Sequence, residues 1–234
     1  MKKHLITSAL ALTLSSPAAF AANFTVNIQN LTSGIHFTPI LVAAHNSSTH
    51  LFQSGTKASV DLQAMAEGGA ITGLSNAVHN AGGVTTTDPA GGILGPGKNA
   101  TTGNIDTSNT NNHYLSIVAM MLPTNDGFIG LDSYKIPQAA GTYTININAY
   151  DAGTEANDEI INGGGAPGVA GIPKDPGGYN GTNGTGVTTK DTNTYVHIHR
   201  GALGDTDANG GKSDLDSRVH RWLNPVARVT ITVK

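Results

Sequence analysis

The stretch that decides the fold is TYTININAY, residues 142–150, in which apolar and polar side chains alternate as far as Ala149. A period of two places alternate side chains on opposite faces of a strand, and it is typical of a half-buried β-strand. Ile, Thr and Tyr also favour strands. The stretch therefore predicts a strand with one face in a core and the other in solvent.

Further strand-like segments lie on both sides of this one. They are residues 24–31, 37–44, 113–122, 195–199 and 226–233. The segment 113–122 is a continuous apolar run, which predicts a buried strand.

Helical signals are few and loop signals are many. Residues 59–67 predict one helix that Gly68-Gly69 can end, and residues 74–80 could add another turn. Three segments rich in Gly, Asn and Thr predict long loops, at 81–112, 162–192 and 201–217. The fold class that follows is all-β: one antiparallel β-sandwich with long loops and one or two short helices.

The N-terminus has the features of a secretory signal peptide over residues 1–21. Lys2 and Lys3 precede a short apolar core at 5–14, and Ala19-Phe20-Ala21 is a small-x-small cleavage signal. We expect one domain at 22–234, exported to the periplasm or secreted outside the cell. No later segment has the roughly 18 continuous apolar residues of a membrane span, so no transmembrane segment is expected.

Composition excludes several classes of protein. The chain has no Cys, which excludes disulfide scaffolds, thiol catalysis and zinc–thiolate sites. Its formal net charge is −3, so nothing in the charge balance favours nucleic acid as a partner. Since no disulfide can hold the long loops in place, a bound cation is the obvious alternative.

Two acidic motifs each follow a predicted strand. Asp126 precedes Gly127 in a turn signal after the buried run, and Asp151 and Glu155 follow the alternating strand. Loops at one end of a sandwich can bring such carboxylates together. Calcium prefers roughly six to eight hard oxygen ligands, so these acids are candidate calcium ligands, although solvated turns are the alternative.

The same motifs resemble the spondin domain found in F-spondin and mindin. The resemblance rests on Pro123, Asp126, Phe128, Ile129, Gly130, Asp132-Ser133, and residues 150–155, 215–216 and 221–230. It implies a sandwich similar to a C2 domain, with calcium bound by Asp126, Asp151 and Glu155. It also implies a role in extracellular or cell-surface binding or adhesion. Animal members usually carry Asp at the position of Glu155, and they have disulfides that this chain lacks.

A second acidic loop spans residues 205–216. Its pattern matches the calcium-loop template D-x-D-x-[DN]-G-x5-E, with Asp205, Asp207 and Asn209 in ligand positions and Asp216 replacing the terminal Glu. No predicted helix flanks it, so an ordinary turn is the alternative.

His197 and His199 lie two residues apart on a predicted strand, which would turn both rings to the same face. This spacing suits a zinc or copper pair, with His45, His50 or His220 as a third ligand. If Ile198 faces the core, the two histidines face outward and pack as ordinary polar side chains.

No catalytic motif accompanies these features. The chain lacks a Gly-x-Ser-x-Gly elbow, a His-Glu-x-x-His motif and a Gly-x-Gly-x-x-Gly motif that follows a strand and opens a helix. We therefore expect a non-enzymatic calcium-binding module whose partner, a glycan, a surface or a protein, is unknown. A zinc or copper protein, or a metalloenzyme built on His197 and His199, is the alternative.

Overall fold

The structure is a computed structural model that describes residues 23–190 and 192–234. The expected signal peptide lies outside the described residues. The elements in chain order are β1 (Asn23–Asn30), β2 (His36–Phe37), β3 (Leu41–His45), α1 (Val60–Gly68), α2 (Thr72–Asn80), β4 (Val84–Thr87), β5 (Asn99–Thr101), β6 (Ile105–Asp106), β7 (Tyr114–Leu122), β8 (Gly127–Lys135), β9 (Gly141–Asp151), β10 (His197–Ile198) and β11 (Ala227–Val233). The predicted all-β class is confirmed.

The strands form one curled antiparallel sheet in the order β4-β3-β7-β8-β9-β11-β1-β5, with β2, β6 and β10 paired at its side. Strand β9 connects its two halves. Residues 141–147 of β9 pair with β11, and residues 148–151 pair with β8. Because the sheet curls along β9, its two halves face each other across a common core, which makes it sandwich-like.

Two hydrophobic clusters explain the strand patterns. The larger one lies between the halves of the sheet and includes Ile28 of β1, Ile117 of β7 and Val229 of β11. The second packs the opposite face of β7, including Val118, against helix residues such as Met65. Strand β7 is apolar along its length because the helices cover the face that the sandwich core does not.

The helices follow the local signals. Ser59 caps α1 by accepting a hydrogen bond from the Leu62 amide at 3.1 Å, and Gly69 ends the helix at φ 73°. The expected extra turn is a second helix of nine residues, α2. Within the described part of the chain, no helix has the length and hydropathy needed to cross a membrane.

Three predictions about strands need correction. Segment 81–112 is not only loop, because it contains β4, β5 and β6, whose pairing partners are distant in sequence. The predicted strand 195–199 shortens to His197–Ile198. Ile198 is 47% exposed while Val196 is buried, so Ile198 does not face the core.

Buried carboxylates hold the long loops to one another. Glu159, which is 5% exposed, accepts hydrogen bonds from the Leu203 amide at 2.6 Å, the Gly204 amide at 2.8 Å and the Ser213 hydroxyl at 2.6 Å. It also has φ 61°, a conformation that non-glycine residues rarely adopt. This side chain joins the segment after β9 to the loop 201–217.

Asp214 and Asp175 act in the same way on the loop 162–192. The carboxylate of Asp214 accepts hydrogen bonds from the Ile161 and Gly184 amides, both at 2.9 Å. Asp175 accepts hydrogen bonds from two amides of its own loop and lies 3.3 Å from Nε2 of buried His220. Backbone amides bonded to buried carboxylates therefore organise these loops.

Gly130 allows the aromatic rings of Phe52, Phe128 and Tyr150 to meet beside β8. A Cβ at this position would lie 2.6 Å from Cζ of Phe52 and 2.8 Å from Cδ2 of Tyr150. We expect Gly130→Ala to destabilise the fold by about 1–3 kcal/mol, because overpacking forces neighbouring side chains to move. Gly103→Ala is the matched control, since its Cβ would meet nothing within 4 Å. Equal urea midpoints for the two variants would contradict this expectation.

Candidate functional site

The β8–β9 pairing brings the two acidic motifs to one end of the sheet. Asp126 lies in the turn before β8, and Asp151 is the last residue of β9. Gly127 pairs with Asp151, and the Ala152 amide donates a hydrogen bond to the Asp126 carbonyl at 3.2 Å. The turn and the strand end that the sequence analysis singled out are therefore neighbours.

The alternation of β9 continues through Asp151. Ile147, Ala149 and Asp151 are all buried, while the residues between them are partly exposed. The Asp151 carboxyl group therefore lies on the same face of β9 as these apolar side chains. Both Asp126 and Asp151 are almost completely removed from solvent, at 0% and 1% exposure.

Asp126 has one satisfied carboxylate oxygen and one without a partner. Oδ2 accepts hydrogen bonds from the Thr154 amide at 2.8 Å, the Thr154 hydroxyl at 3.2 Å and the Glu155 amide at 3.2 Å. Oδ1 is buried and has no hydrogen-bond partner among the described residues. A buried oxygen without a partner is costly, and it marks a place where a cation or a donor would be favourable.

Burial, and next the negative charge of Asp151, raises the pKa of Asp126 to about 8. The hydrogen bonds from Thr154 and Glu155 lower this pKa but do not offset burial and repulsion. Two desolvated carboxyl groups therefore lie close enough to disfavour simultaneous ionisation. A bound cation would reverse this balance, because it favours the ionised form of both.

Asp151 is held by groups on both of its oxygens. Oδ1 accepts a hydrogen bond from the Gly153 amide at 2.8 Å, and Oδ2 accepts one from Nδ2 of Asn157 at 2.7 Å. Nε2 of His197 lies 3.6 Å from Oδ2, which makes an ion pair when the imidazole is protonated.

Glu155 has a different environment. Its Oε2 accepts hydrogen bonds from the Gly171 amide at 3.0 Å and Nδ2 of Asn125 at 3.4 Å. Its Oε1 is buried, with no hydrogen-bond partner in the part of the chain that the structure describes. Burial raises the pKa of Glu155 to about 7, and the charges of Glu67 and Asp158 add to this effect. The carboxyl groups that influence Glu155 are thus not those of Asp126 and Asp151.

The two histidines of the alternative metal site make different contacts. Nδ1 of His197 donates to the Tyr195 carbonyl at 2.7 Å. Nδ1 of His199 accepts from the Gly201 amide at 3.0 Å, so the proton of this ring is on Nε2, and the ring packs 4.9 Å from Trp222. Burial, aided by nearby His197 and Arg200, lowers the pKa of His199 to about 3.

The proposed third histidine ligands have partners elsewhere. Nε2 of His45 contacts the Ser116 hydroxyl at 2.7 Å, and Nδ1 of His50 lies 2.9 Å from Asp132. His220 faces Asp175. Over residues 23–190 and 192–234, no group of three or more His, Cys, Asp or Glu side chains is placed to hold a metal ion. The histidine site stays a prediction.

The loop 205–216 is closed by its own hydrogen bonds. The Asp205 carboxylate accepts bonds from the Asp207 and Lys212 amides, both at 2.8 Å, and from Ser213 at 3.0 Å. Asp216 instead faces Arg218, with Oδ2 2.6 Å from Nη2. The terminal ligand of the template thus forms an ion pair, and calcium binding by this loop stays a prediction.

Sequence reasoning missed the amides and acids that surround these carboxylates. Asn125 and Asn157 donate to acids of the site, and Glu159 and Asp214 order the loops beside it. Asn125 directly precedes Asp126, so proximity in sequence could have identified it. The others are ordinary polar residues in Gly-rich segments, and no local pattern distinguishes them.

Comparison with known proteins adds a family. A search of curated proteins found no match. The family model described as Spondin_N matches residues 13–159, which is more than half of the chain. The match contains Asp126, Asp151 and Glu155 but ends before the loop 205–216. This chain, with its curled antiparallel sheet and its paired acidic motifs, belongs to the Spondin_N family.

Proposed function

We propose that this protein is an exported, non-enzymatic β module that binds calcium at the end of β9 and contacts an extracellular or cell-surface partner. Asp126 and Asp151 would be the central ligands. Glu155 would have to turn toward them to be the third, because no three acidic or histidine side chains of the described residues are placed together to hold a metal ion. Family membership supports a role of this kind outside the cytoplasm, in binding or adhesion.

The observation that carries the proposal is the buried Oδ1 of Asp126, which has no partner among the described residues. It belongs to a carboxyl group whose nearest acidic neighbour, Asp151, is also desolvated. Oε1 of Glu155 is a second buried oxygen for which residues 23–190 and 192–234 supply no hydrogen-bond partner. Hard oxygen donors of this kind suit calcium better than a transition metal.

Calcium would supply the positive charge that this end of the sheet lacks. Asp126 and Asp151 would bind it through carboxylate oxygens, and backbone carbonyls and water complete calcium shells in general. Asp126 also holds the Thr154 and Glu155 amides. An ion on Asp126 would therefore be linked directly to the order of the segment that follows β9.

The surface that would contact a partner is formed by the long loops. Val169, Tyr179 and Leu203 are large apolar side chains that are more than half exposed. Loops held on a rigid scaffold are frequent binding surfaces, and exposed apolar side chains on them favour contact with another molecule. The carboxylates that organise these loops would keep that surface in one conformation.

Calcium is expected to raise the melting temperature of the chelator-treated protein. At about 100 times the dissociation constant, a ligand that binds only the folded state stabilises it by about 2.7 kcal/mol. For a chain of this size that corresponds to a shift of about 5–10 °C. The measurement is a thermal melt across a calcium titration, with isothermal calorimetry giving the stoichiometry.

Magnesium and zinc titrations serve as controls. A melting temperature that does not change with calcium would exclude the proposed site. Zinc or copper that copurifies in stoichiometric amount and is lost in His197→Ala would favour the histidine alternative instead. Retention of the calcium shift in Asp207→Ala would separate the proposed site from the loop 205–216.

A further inference from the structure

The long loops contain four Asn-Gly pairs. They are Asn162-Gly163, Asn180-Gly181, Asn183-Gly184 and Asn209-Gly210. All four asparagines are exposed. The four pairs are thus alike in the exposure of the asparagine and in the residue that follows it. Any difference in reactivity between them must come from local structure.

Asn-Gly pairs can react within the chain. The glycine amide nitrogen attacks Cγ of the asparagine, a C–N bond forms, and Nδ2 leaves as ammonia with the proton of the glycine amide. Water then opens the resulting succinimide on either side, which yields aspartate or isoaspartate. Gly favours the reaction because it has no side chain to hinder the attack. The reaction also needs a glycine N–H that is free to lose its proton and to approach Cγ.

Three of the four glycine amides are not free. Gly163 donates to the Ile172 carbonyl at 3.2 Å, Gly181 to the Asp214 carbonyl at 2.8 Å, and Gly184 to Oδ1 of Asp214 at 2.9 Å. These are the same contacts that order the loop 162–192. Each amide must leave its acceptor before it can attack, so a local opening step precedes the reaction.

The asparagine side chains of these three pairs are bonded as well. Nδ2 of Asn162 donates to the Ala170 carbonyl at 3.1 Å, Nδ2 of Asn180 to the Gly181 carbonyl at 3.0 Å, and Nδ2 of Asn183 to the Thr182 hydroxyl at 3.4 Å. These bonds hold the carboxamide groups in orientations set by their acceptors.

The pair Asn209-Gly210 has neither restraint. Neither the Gly210 amide nor the Asn209 carboxamide has a hydrogen-bond partner among the described residues. The one bond of Asn209 is from its backbone amide to Oδ1 of Asp207, at 3.0 Å. The reactive atoms of this pair are therefore free while the backbone before them is held.

We propose that Asn209 is a site of spontaneous deamidation in the folded protein, modified in preference to the other three Asn-Gly pairs. The product places a carboxylate at position 209, beside those of Asp205 and Asp207, and adds one negative charge to the protein. The isoaspartate form also lengthens the backbone of the loop 205–216 by one methylene. The inference does not depend on calcium binding at Asp126.

The test is peptide mapping by mass spectrometry of the folded protein incubated at neutral pH. A gain of one mass unit at position 209 is expected at least about tenfold faster than at 162, 180 or 183, which corresponds to about 1.4 kcal/mol of local opening. The same sample in concentrated urea is expected to deamidate at all four positions at similar rates, because the protecting bonds are lost.

Two variants complete the experiment. Gly210→Ala should slow the reaction at Asn209, and it is compatible with the fold because its Cβ would lie 3.5 Å from Oδ2 of Asp207, an ordinary contact. Asn209→Gln should abolish the new acidic species in isoelectric focusing. Equal rates at the four sites in the folded protein, or faster reaction at 180 or 183, would overturn the proposal.

Discussion

Replacing Asp126 by Asn is expected to stabilise the metal-free protein and to abolish its response to calcium. The asparagine carbonyl can still accept the bonds from Thr154 and Glu155 that Oδ2 accepts now. The substitution removes a desolvated charge that Asp151 repels. The same change removes the oxygen that we propose as a calcium ligand. It is therefore expected to raise the stability of the metal-free protein and to remove the stabilisation by calcium.

The pH dependence gives the size of the first effect. Asp126 has a pKa of about 8 in the fold against an ordinary value of 3.8, so between these values the folded metal-free protein holds a proton that the unfolded chain does not. Stability therefore falls as pH rises through this window, by about 1.4 kcal/mol per pH unit for one such group. Asp126→Asn removes this slope, and its advantage over the wild type grows from pH 4 to pH 8.

Urea unfolding at several pH values, with chelator and with calcium, measures both effects. Asp106→Asn is the matched control, because Asp106 is exposed and its pKa is lowered by Ser108 rather than raised. The control should keep the calcium response and the pH slope of the wild type. A metal-free Asp126→Asn protein that is less stable than the wild type at pH 8 would contradict our account of the site.

Replacing Glu159 by Ala is expected to cause a large loss of stability. The change leaves the Leu203 and Gly204 amides and the Ser213 hydroxyl without their acceptor in a site that is 5% exposed. Bonds to a charged group contribute about 1.5–3 kcal/mol each, so we expect the loss of three such bonds to cost about 4.5 kcal/mol or more. That corresponds to a fall in melting temperature of about 10 °C.

The measurement is chemical and thermal unfolding with chelator present, together with limited proteolysis. Cleavage should appear first within 201–217, because this loop loses its attachment to the segment after β9. Asp207→Ala is the control, since Asp207 is an exposed acid of the same loop and its carboxylate accepts one bond from the described residues, that of the Asn209 amide. Similar losses in the two variants would show that Glu159 does not anchor the loop.

Strand patterns in the sequence predicted much of the fold correctly. The alternation of residues 142–150 lies within β9, and the apolar run at 113–122 overlaps β7. Both patterns indicate which faces of a strand are buried, and they can be recognised from the segment alone, without the rest of the chain. Strands β4, β5 and β6 were not predicted, because they are short and depend on partners far away in sequence. Strand β8 was not predicted either, because residues 127–135 do not alternate between apolar and polar side chains.

The candidate site was predictable to a similar extent. Asp126 and Asp151 each follow a strand, and pairing of β8 with β9 brings their backbones together. Their shared burial could not be predicted, because the loops that exclude solvent come from distant segments. The environment of Glu155 was also unpredictable, since Glu67 approaches it from α1.

By itself the sequence determined the all-β class, the periodicity of the central strands, the two strand-end acids and the absence of disulfides. Only the tertiary structure decided how the loops are held, which is by Glu159, Asp214 and Asp175 bonded to backbone amides and one hydroxyl. It likewise decided that Asn209 and the Gly amide that follows it lack the hydrogen bonds found at the other three Asn-Gly pairs of the described loops. The physical reason is that periodicity records burial along one segment, whereas a hydrogen bond between distant loops depends on where the whole chain places its donor and acceptor.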